Sequence, residues 1–417
     1  MTAGDTRQGP GAGSDTAAGG GWIEQALREH EDAARSEPSP GGPSGPPGPP
    51  GPGGRPVLPV ADRERQVLER IDRARRRRPR VREERVTMSH GAGGKATRTL
   101  VEAIFLDAFR NPRLEPLEDA AGLSLHGVRA ALTTDSYVVS PLFFPGGDIG
   151  DLAVNGTVND LSVAGATPLY LSAGFILEEG FPVADLVRVT ASMRDAAALA
   201  GVQIVTGDTK VVQRGKADGC YINTAGVGVL ERDITLGVAQ ARPGDAIIVS
   251  GPIGDHGVTI MLARGELDIE ADLVSDSAPL HELTAGLLDA GGDGVRVLRD
   301  ATRGGVATIL NEIAKGAGVG VQVSEDDIPV REEVRGASEL LGIDPMYVAC
   351  EGRLVAVVPG ESADRALAAL RAHPLGEQAA VFGRVTGEQP GIVRLKTAFG
   401  GTRIVDMLVG DPLPRIC

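Results

Sequence analysis

Thr133-Thr134-Asp135-Ser136, Phe143-Phe144-Pro145-Gly146-Gly147-Asp148-Ile149-Gly150-Asp151 and Gly156-Thr157-Val158-Asn159-Asp160-Leu161 follow one another closely and set aspartates on three kinds of backbone. Residues 130–139 read as a strand with Asp135 near its middle. Gly146-Gly147 is a turn, and residues 151–164 read as a helix that carries Asp160. Strand, glycine turn and helix in succession predict an α+β fold, and the flanking segments continue the pattern. Residues 86–89 read as a strand entering the loop His90-Gly91-Ala92-Gly93-Gly94. Leu100, Val101, Ile104, Phe105 and Ala108 recur at helical spacing over 97–109. Residues 169–177 read as a strand and 183–200 as a helix closed by Gly201, which suits a left-handed C-terminal cap. Strands at 202–205 and 221–229 complete a first sheet.

A second set starts at Asp245. A buried strand at 246–249 leads into the glycine turn Gly251-Pro252-Ile253-Gly254-Asp255-His256-Gly257, where Asp255 and His256 fit a structural role as well as a ligand contact. Helices are predicted at 305–317 and 363–371, and strands at 320–323, 347–349, 353–358, 381–385 and 392–396. The expectation is two lobes, 81–240 and 241–405, with the break near Arg242-Pro243-Gly244 and a flexible tail over 406–417. The first 80 residues differ in texture. Gly45-Pro46-Pro47-Gly48-Pro49-Pro50-Gly51-Pro52 typifies a low-complexity extension that cannot bury enough apolar surface to offset chain entropy, so disorder is expected. A basic helical piece with Arg75-Arg76-Arg77-Arg78 follows it, read as a solvated tether.

Composition narrows the class. The chain has 417 residues, 42% hydrophobic but only 3% aromatic, so its cores must be built from Val, Leu, Ile and Ala. A net charge of −14 argues against general nucleic-acid affinity. No apolar run is long enough to span a bilayer and no secretory leader is evident, so a cytoplasmic protein without a membrane partner is expected. Cys220, Cys350 and Cys417 are far apart and make no metal-type spacing.

The chemistry lies in aspartates set among glycines and small residues: Asp135, Asp148, Asp151, Asp160, Asp208 in Gly207-Asp208-Thr209-Lys210, and Asp300 in Arg299-Asp300-Ala301-Thr302-Arg303-Gly304. Several carboxylates of this kind suit Mg²⁺ holding polyphosphate oxygens, and nearby glycines let backbone amides approach phosphate. Lys210 and Arg303 supply cations for the remaining phosphate charge. The loop Gly91-Ala92-Gly93-Gly94-Lys95-Ala96 lacks the first glycine and the Ser/Thr of a P-loop, so ATP would be held by a different fold. At the other end Pro412-Leu413-Pro414-Arg415-Ile416-Cys417 presents a stiff approach to a terminal thiol.

These motifs together resemble the HypE family: Thr133-Thr134-Asp135-Ser136, the Phe143–Gly150 and Gly156–Leu161 stretches, Thr206-Gly207-Asp208-Thr209-Lys210-Val211-Val212, and the closing Pro414-Arg415-Ile416-Cys417. The resemblance runs from about Val86 to Cys417 and leaves the extension outside. It implies a PurM-like fold related to aminoimidazole ribonucleotide synthetase, with two α+β lobes and the N-terminal sheets of a homodimer closing a barrel. It also implies a role in [NiFe]-hydrogenase maturation. A HypF-type carbamoyltransferase would load a carbamoyl group on Cys417, ATP-dependent dehydration would turn it into a thiocyanate, and HypC and HypD would accept the cyanide. By motif match Asp135, Asp160, Asp208 and Asp300 would hold Mg²⁺. Asp135, Asp148, Asn155, Asn159, Asp160, Gly207, Asp208, Thr209 and Arg303 would meet ATP. Lys210 and Glu351 would join Cys417 in catalysis, moving protons or orienting the carbamoyl, although Lys210 equally suits a phosphate contact. One departure stands out, because the family usually has Asn where Cys350 precedes Glu351-Gly352; its loss would remove an amide from the expected site. Cys350 and Cys220 otherwise read as small buried hydrophobes. Two alternatives remain at this level, a related ATP-dependent kinase and a non-catalytic carrier of the group on Cys417.

Overall fold

The computed structural model describes residues 81, 83–265, 271–291, 294–408 and 416–417. The extension over 1–80 with its arginine run, Pro412, Pro414 and Arg415 lie outside the described residues. A helix at Lys95–Leu100 (α1) continues through a π-type stretch, Val101–Phe105, into Leu106–Phe109, where the sequence places its helical spacing.

The first sheet follows from period-two burial. In β2 (Val128–Tyr137) Ala131, Thr133 and Tyr137 are buried while Leu132, Thr134 and Ser136 are exposed. β1 (Ala121–Leu125), β3 (Thr167–Glu178), β4 (Gln203–Val212) and β5 (Cys220–Val229) join it in the order β1-β2-β5-β3-β4. β3 and β4 are parallel and the other neighbours antiparallel. Helices α2 (Ile149–Val163) and α3 (Val183–Leu199) cover one face, and among the described residues no helix packs across the other. α2 is apolar nearly all round, with Leu152, Val154, Val158 and Leu161 fully buried, because it is packed on both sides. Its second neighbours are α5 (His281–Gly291) and β7 (Val297–Asp300) of the next sheet.

That second sheet also holds β6 (Ala246–Val249), β8 (Gly320–Ser324), β9 (Leu354–Val358), β10 (Ala380–Thr386), β11 (Val393–Lys396) and β12 (Thr402–Val405). The order is β12-β11-β8-β10-β6-β9-β7. β6 and β9 are buried at every position, as central strands covered on both faces must be. Helix α6 (Gly305–Gly316) packs on one face, and α5 with α8 (Ala363–Arg371) on the other.

Some sequence expectations change. Residues 86–89 form no strand, and a 3₁₀ turn occupies Met88–Gly91. The strand expected at 347–349 is also absent: Pro345 has no N–H to give a ladder, and Asp344 accepts from the Met346 amide to cap a 3₁₀ turn, Pro345–Tyr347. The glycine turn at 251–257 is the entrance of a helix, α4 (Asp255–Ala263), whose preceding Gly254 has φ +89°. Another helix, α7 (Glu332–Leu341), packs against α4. The strand expected at 202–205 runs on to Val212, so Gly207-Asp208-Thr209-Lys210 lies within a strand rather than in a loop.

Candidate active site

Where the two sheets meet, Asp160 from α2, Asp300 at the end of β7 and Asp119, just before β1, bring carboxylate oxygens within 4.8 Å of one another. Asp135 of β2 lines the same cavity, of about 410 Å³, with Glu351, Arg303 and Cys417. Burial pushes Asp160 well above the usual carboxylate range, and the charges of Asp135, Asp300 and Asp119 push it further. Asp300 rises to about 6, chiefly through burial and then through Asp135. The Thr133 hydroxyl answers Asp160 at 2.6 Å, and Arg299 on the far side pairs with Glu118, Asp119 and Glu312. Partly buried, mutually repelling carboxylates with only oxygen donors are a set that a hard divalent cation relieves, and Mg²⁺ fits that donor chemistry.

The thiol of Cys417 is docked in this cavity. Arg303 donates from Nε to its Sγ at 2.9 Å and from Nη2 to its main-chain oxygen at 3.3 Å, and the Val138 amide donates to that oxygen at 3.2 Å. Cys417 is buried, and burial pushes its thiol up to about 12 although Arg303 opposes the shift. Glu351 is buried too, and its Oε1 has no hydrogen-bond partner among the described residues. Burial, followed by the charges of Asp300 and Asp276, holds its carboxyl well above the usual range. The peptide around it is fixed: its amide donates to Asp276 Oδ1 at 2.9 Å, and its carbonyl accepts from Asn159 Nδ2 at 3.2 Å. A second cavity of about 780 Å³ shares Asp119, Thr133, Asp300 and Arg303 and is walled by Val101, Leu132, Ile309 and Met407, an apolar space next to a charged one.

Other residues expected at the site stand elsewhere. Gly207, Asp208, Thr209 and Lys210 lie on the exposed edge strand β4, outside the carboxylate cavity. There Lys210 Nζ pairs with Asp208 Oδ2 at 2.5 Å, and the Thr209 amide donates to Asp208 Oδ1. Asp208 and Lys210 are on the open face of the sheet, in a separate cavity that shares Ser136 and Tyr137 with the first. Asp148 is the N-cap of α2, accepting from Gly150. Asn155 and Asn159 do not line the cavity. Asn155 donates to Ser277, and Asn159 bonds Ala278, Leu280 and Glu351, so both hold the 271–280 loop. Arg303, expected on phosphate, gives its donors to Cys417 and to the carbonyls of Gly91 and Ser136. Cys350 is fully buried in the α6 core, its sulfur accepting from the Gly254 amide at 3.2 Å, and it does not line the thiol's cavity. Cys220 is core, as expected.

Two family models match the chain, the N-terminal domain of AIR synthase related proteins over residues 117–230 and their C-terminal domain over 242–396. The carbamoyl dehydratase HypE of Rhizobium leguminosarum bv. viciae is 56% identical over 333 residues, covering 80% of this chain and 95% of that protein. The chain belongs to the HypE family. A solved HypE–HypF complex contains a chain 48% identical with a TM-score of 0.70, over 74% of this chain and 99% of that one. The hydrogenase maturation protein HypE solved in complex with ATP is 51% identical with a TM-score of 0.67, over 80% of this chain and all of that one. The two-lobed PurM-like architecture expected from the motifs is therefore the fold of this family. Asp119 and Arg299 are the site residues that motif reading overlooks. Asp119 stands in Glu118-Asp119-Ala120-Ala121-Gly122, the same small-residue setting as the other aspartates.

Proposed function

We propose that this protein is an ATP-dependent carbamoyl dehydratase of [NiFe]-hydrogenase maturation, acting on a carbamoyl group carried by its own Cys417. The observation that carries the reading is the thiol of Cys417 docked beside Glu351 and Arg303 at the rim of the carboxylate cluster. Dehydrating –S–C(=O)NH₂ to –S–C≡N removes the oxygen and both nitrogen protons. Amide oxygen leaves poorly, so it is transferred out as phosphate: ATP supplies the phosphoryl group, and ADP, inorganic phosphate and a proton accompany the thiocyanate. Glu351, whose Oε1 has no hydrogen-bond partner among the described residues, is placed to take a nitrogen proton from the carbamoyl group. Arg303 holds the terminal residue in register. Asp119, Asp135, Asp160 and Asp300 would hold Mg²⁺, which would supply charge neutralisation for the phosphates. The larger, partly apolar cavity beside them suits the nucleoside.

The partners follow from the same reading. A HypF-type carbamoyltransferase loads Cys417, HypC and HypD take the cyanide, and the protein works as a homodimer in the cytoplasm. Among the described residues no helix is long and apolar enough to cross a membrane. Incubation with HypF, carbamoyl phosphate and ATP followed by intact mass measurement tests the proposal. Cys417 is expected to gain a carbamoyl and then lose one water. A carbamoyl adduct that persists with ATP would make the protein a carrier, and the absence of any adduct would remove Cys417 from the reaction.

A further inference from the structure

The docked thiol is held at a second point that the reaction chemistry does not require. His256, fully buried in the first turn of α4, lies with Nε2 at 2.6 Å from the carbonyl oxygen of Ile416 and Nδ1 at 2.8 Å from Ser275 Oγ. A carbonyl can only accept, so Nε2 carries the hydrogen; in a neutral ring Nδ1 must then accept from the Ser275 hydroxyl. Ser275 Oγ in turn takes the Ser277 amide at 3.1 Å, and the Ser277 hydroxyl donates to Asp151 Oδ2 at 2.8 Å while accepting from Asn155. From Ser277 the links donate toward the tail, through Ser275 and His256 to Ile416, while the Ser277 hydroxyl donates the other way and anchors the 271–280 loop to Asp151 on α2. Phe144 packs edge-on against the ring at 5.6 Å between centroids and fixes its plane, and the Ser275 amide is tied to the Pro145 carbonyl.

We propose that His256, oriented by Ser275, is a positioning residue that latches the tail by the Ile416 carbonyl and so sets how often Cys417 is docked. Arg303 grips the terminal residue itself, whereas His256 grips the peptide before it, independently of what the sulfur carries. Burying the Ile416 carbonyl without this donor leaves it unsatisfied, and the docked state loses ground to the released one. The inference rests on Cys417 acting as carrier, because only a tail that must leave and return needs an adjustable hold. Loss of the latch slows dehydration, which requires docking, and does not slow carbamoylation, which requires release.

The test reads tail position without nucleotide or partner, so its outcome is separate from that of the proposed reaction. Full-length protein is alkylated with iodoacetamide, and labelling of the Cys417 peptide is followed by mass spectrometry, with buried Cys220 and Cys350 as internal controls. His256→Ala is expected to label about tenfold faster at Cys417. His256→Gln, whose amide offers a donor where Nε2 stood and an acceptor for Ser275, returns the rate to near that of the parent protein. Should circular dichroism show His256→Ala unfolded, Ser275→Ala decides, with labelling expected several-fold faster. A folded His256→Ala, or in its stead Ser275→Ala, labelling at the parent rate would overturn the latch, as would a His256→Gln that labels as fast as the alanine variant.

Discussion

Asp160 has three carboxylate neighbours to push it up and the Thr133 hydroxyl to answer them. A carboxyl whose folded pKa exceeds its unfolded value contributes no penalty below the unfolded value, near 3.8. It destabilises the fold increasingly as pH rises, and fully above the folded pKa. At pH 8, without a cation, the cluster therefore works against the fold. Asp160→Asn is expected to raise the melting temperature of metal-free protein at pH 8 by about 2 °C or more, with the gain shrinking toward pH 4. The same change is expected to weaken Mg²⁺–ATP binding at least about tenfold, or roughly 1.4 kcal/mol, by calorimetry. A variant no more stable at pH 8 that binds Mg²⁺–ATP normally would show that the cluster is not a cation site. Asp135, Asp160 and Asp300 were legible because an aspartate flanked by small residues has few structural reasons to be there. Asp208 sits in an equally good motif yet stands outside the cluster, since a motif states a residue's neighbours in sequence and not the face of the sheet it occupies.

At the scale of elements, the tail is the part whose sequence shows its chemistry but not its resting place. Cys417 reads as a carrier only together with the aspartate motifs, which give its thiol a site to visit. Its contacts, Arg303, Val138 and, through Ile416, His256, come from segments more than a hundred residues away, which no local pattern links to it. The docked thiol is pushed from its ordinary value near 9 up to about 12, chiefly by burial. Docking therefore keeps its full strength below pH about 9. Between 9 and 12 the released tail alone gains from ionising, so each pH unit shifts the balance toward release by about tenfold. Alkylation of a permanently exposed thiol levels off once pH exceeds its pKa. Alkylation of Cys417 is expected to keep rising about tenfold per pH unit to the highest pH at which the fold survives. A plateau at pH 9 would mean that the thiol is not buried in solution. Periodicity marked most of the longer helices and strands but missed β1, β7, β12, α5 and α7. It failed where a proline or a glycine turn had two readings, as at Pro345 and at the entrance of α4.

Taken whole, the described residues leave much of one face of the five-stranded sheet uncovered. Tyr170 and Ile176 on that face are 46% and 44% exposed, apolar surface left to water without a reason in the single chain. Its edge strand β4 is exposed along its length and carries Ile204, Val205 and Val211, the kind of edge that otherwise invites uncontrolled pairing. A second copy of the same face would cover both, as the homodimer proposed above requires. It also gives Asp208 and Lys210 a place, because Ile176 is the register partner of Lys210 and both would enter the interface. The wild-type chain is accordingly expected to run as a dimer in size-exclusion chromatography with light scattering. Ile176→Asp places a charge in the centre of the face and is expected to give a folded monomer. If Lys210 serves the reaction from across the interface, that monomer still accepts a carbamoyl group on Cys417 but dehydrates it at least about a hundredfold more slowly, the scale of losing one proton-transfer or oxyanion group. A monomeric variant with undiminished dehydration would leave the interface structural and return Asp208 and Lys210 to the surface, whereas a variant that stays dimeric would place the contact elsewhere on the molecule.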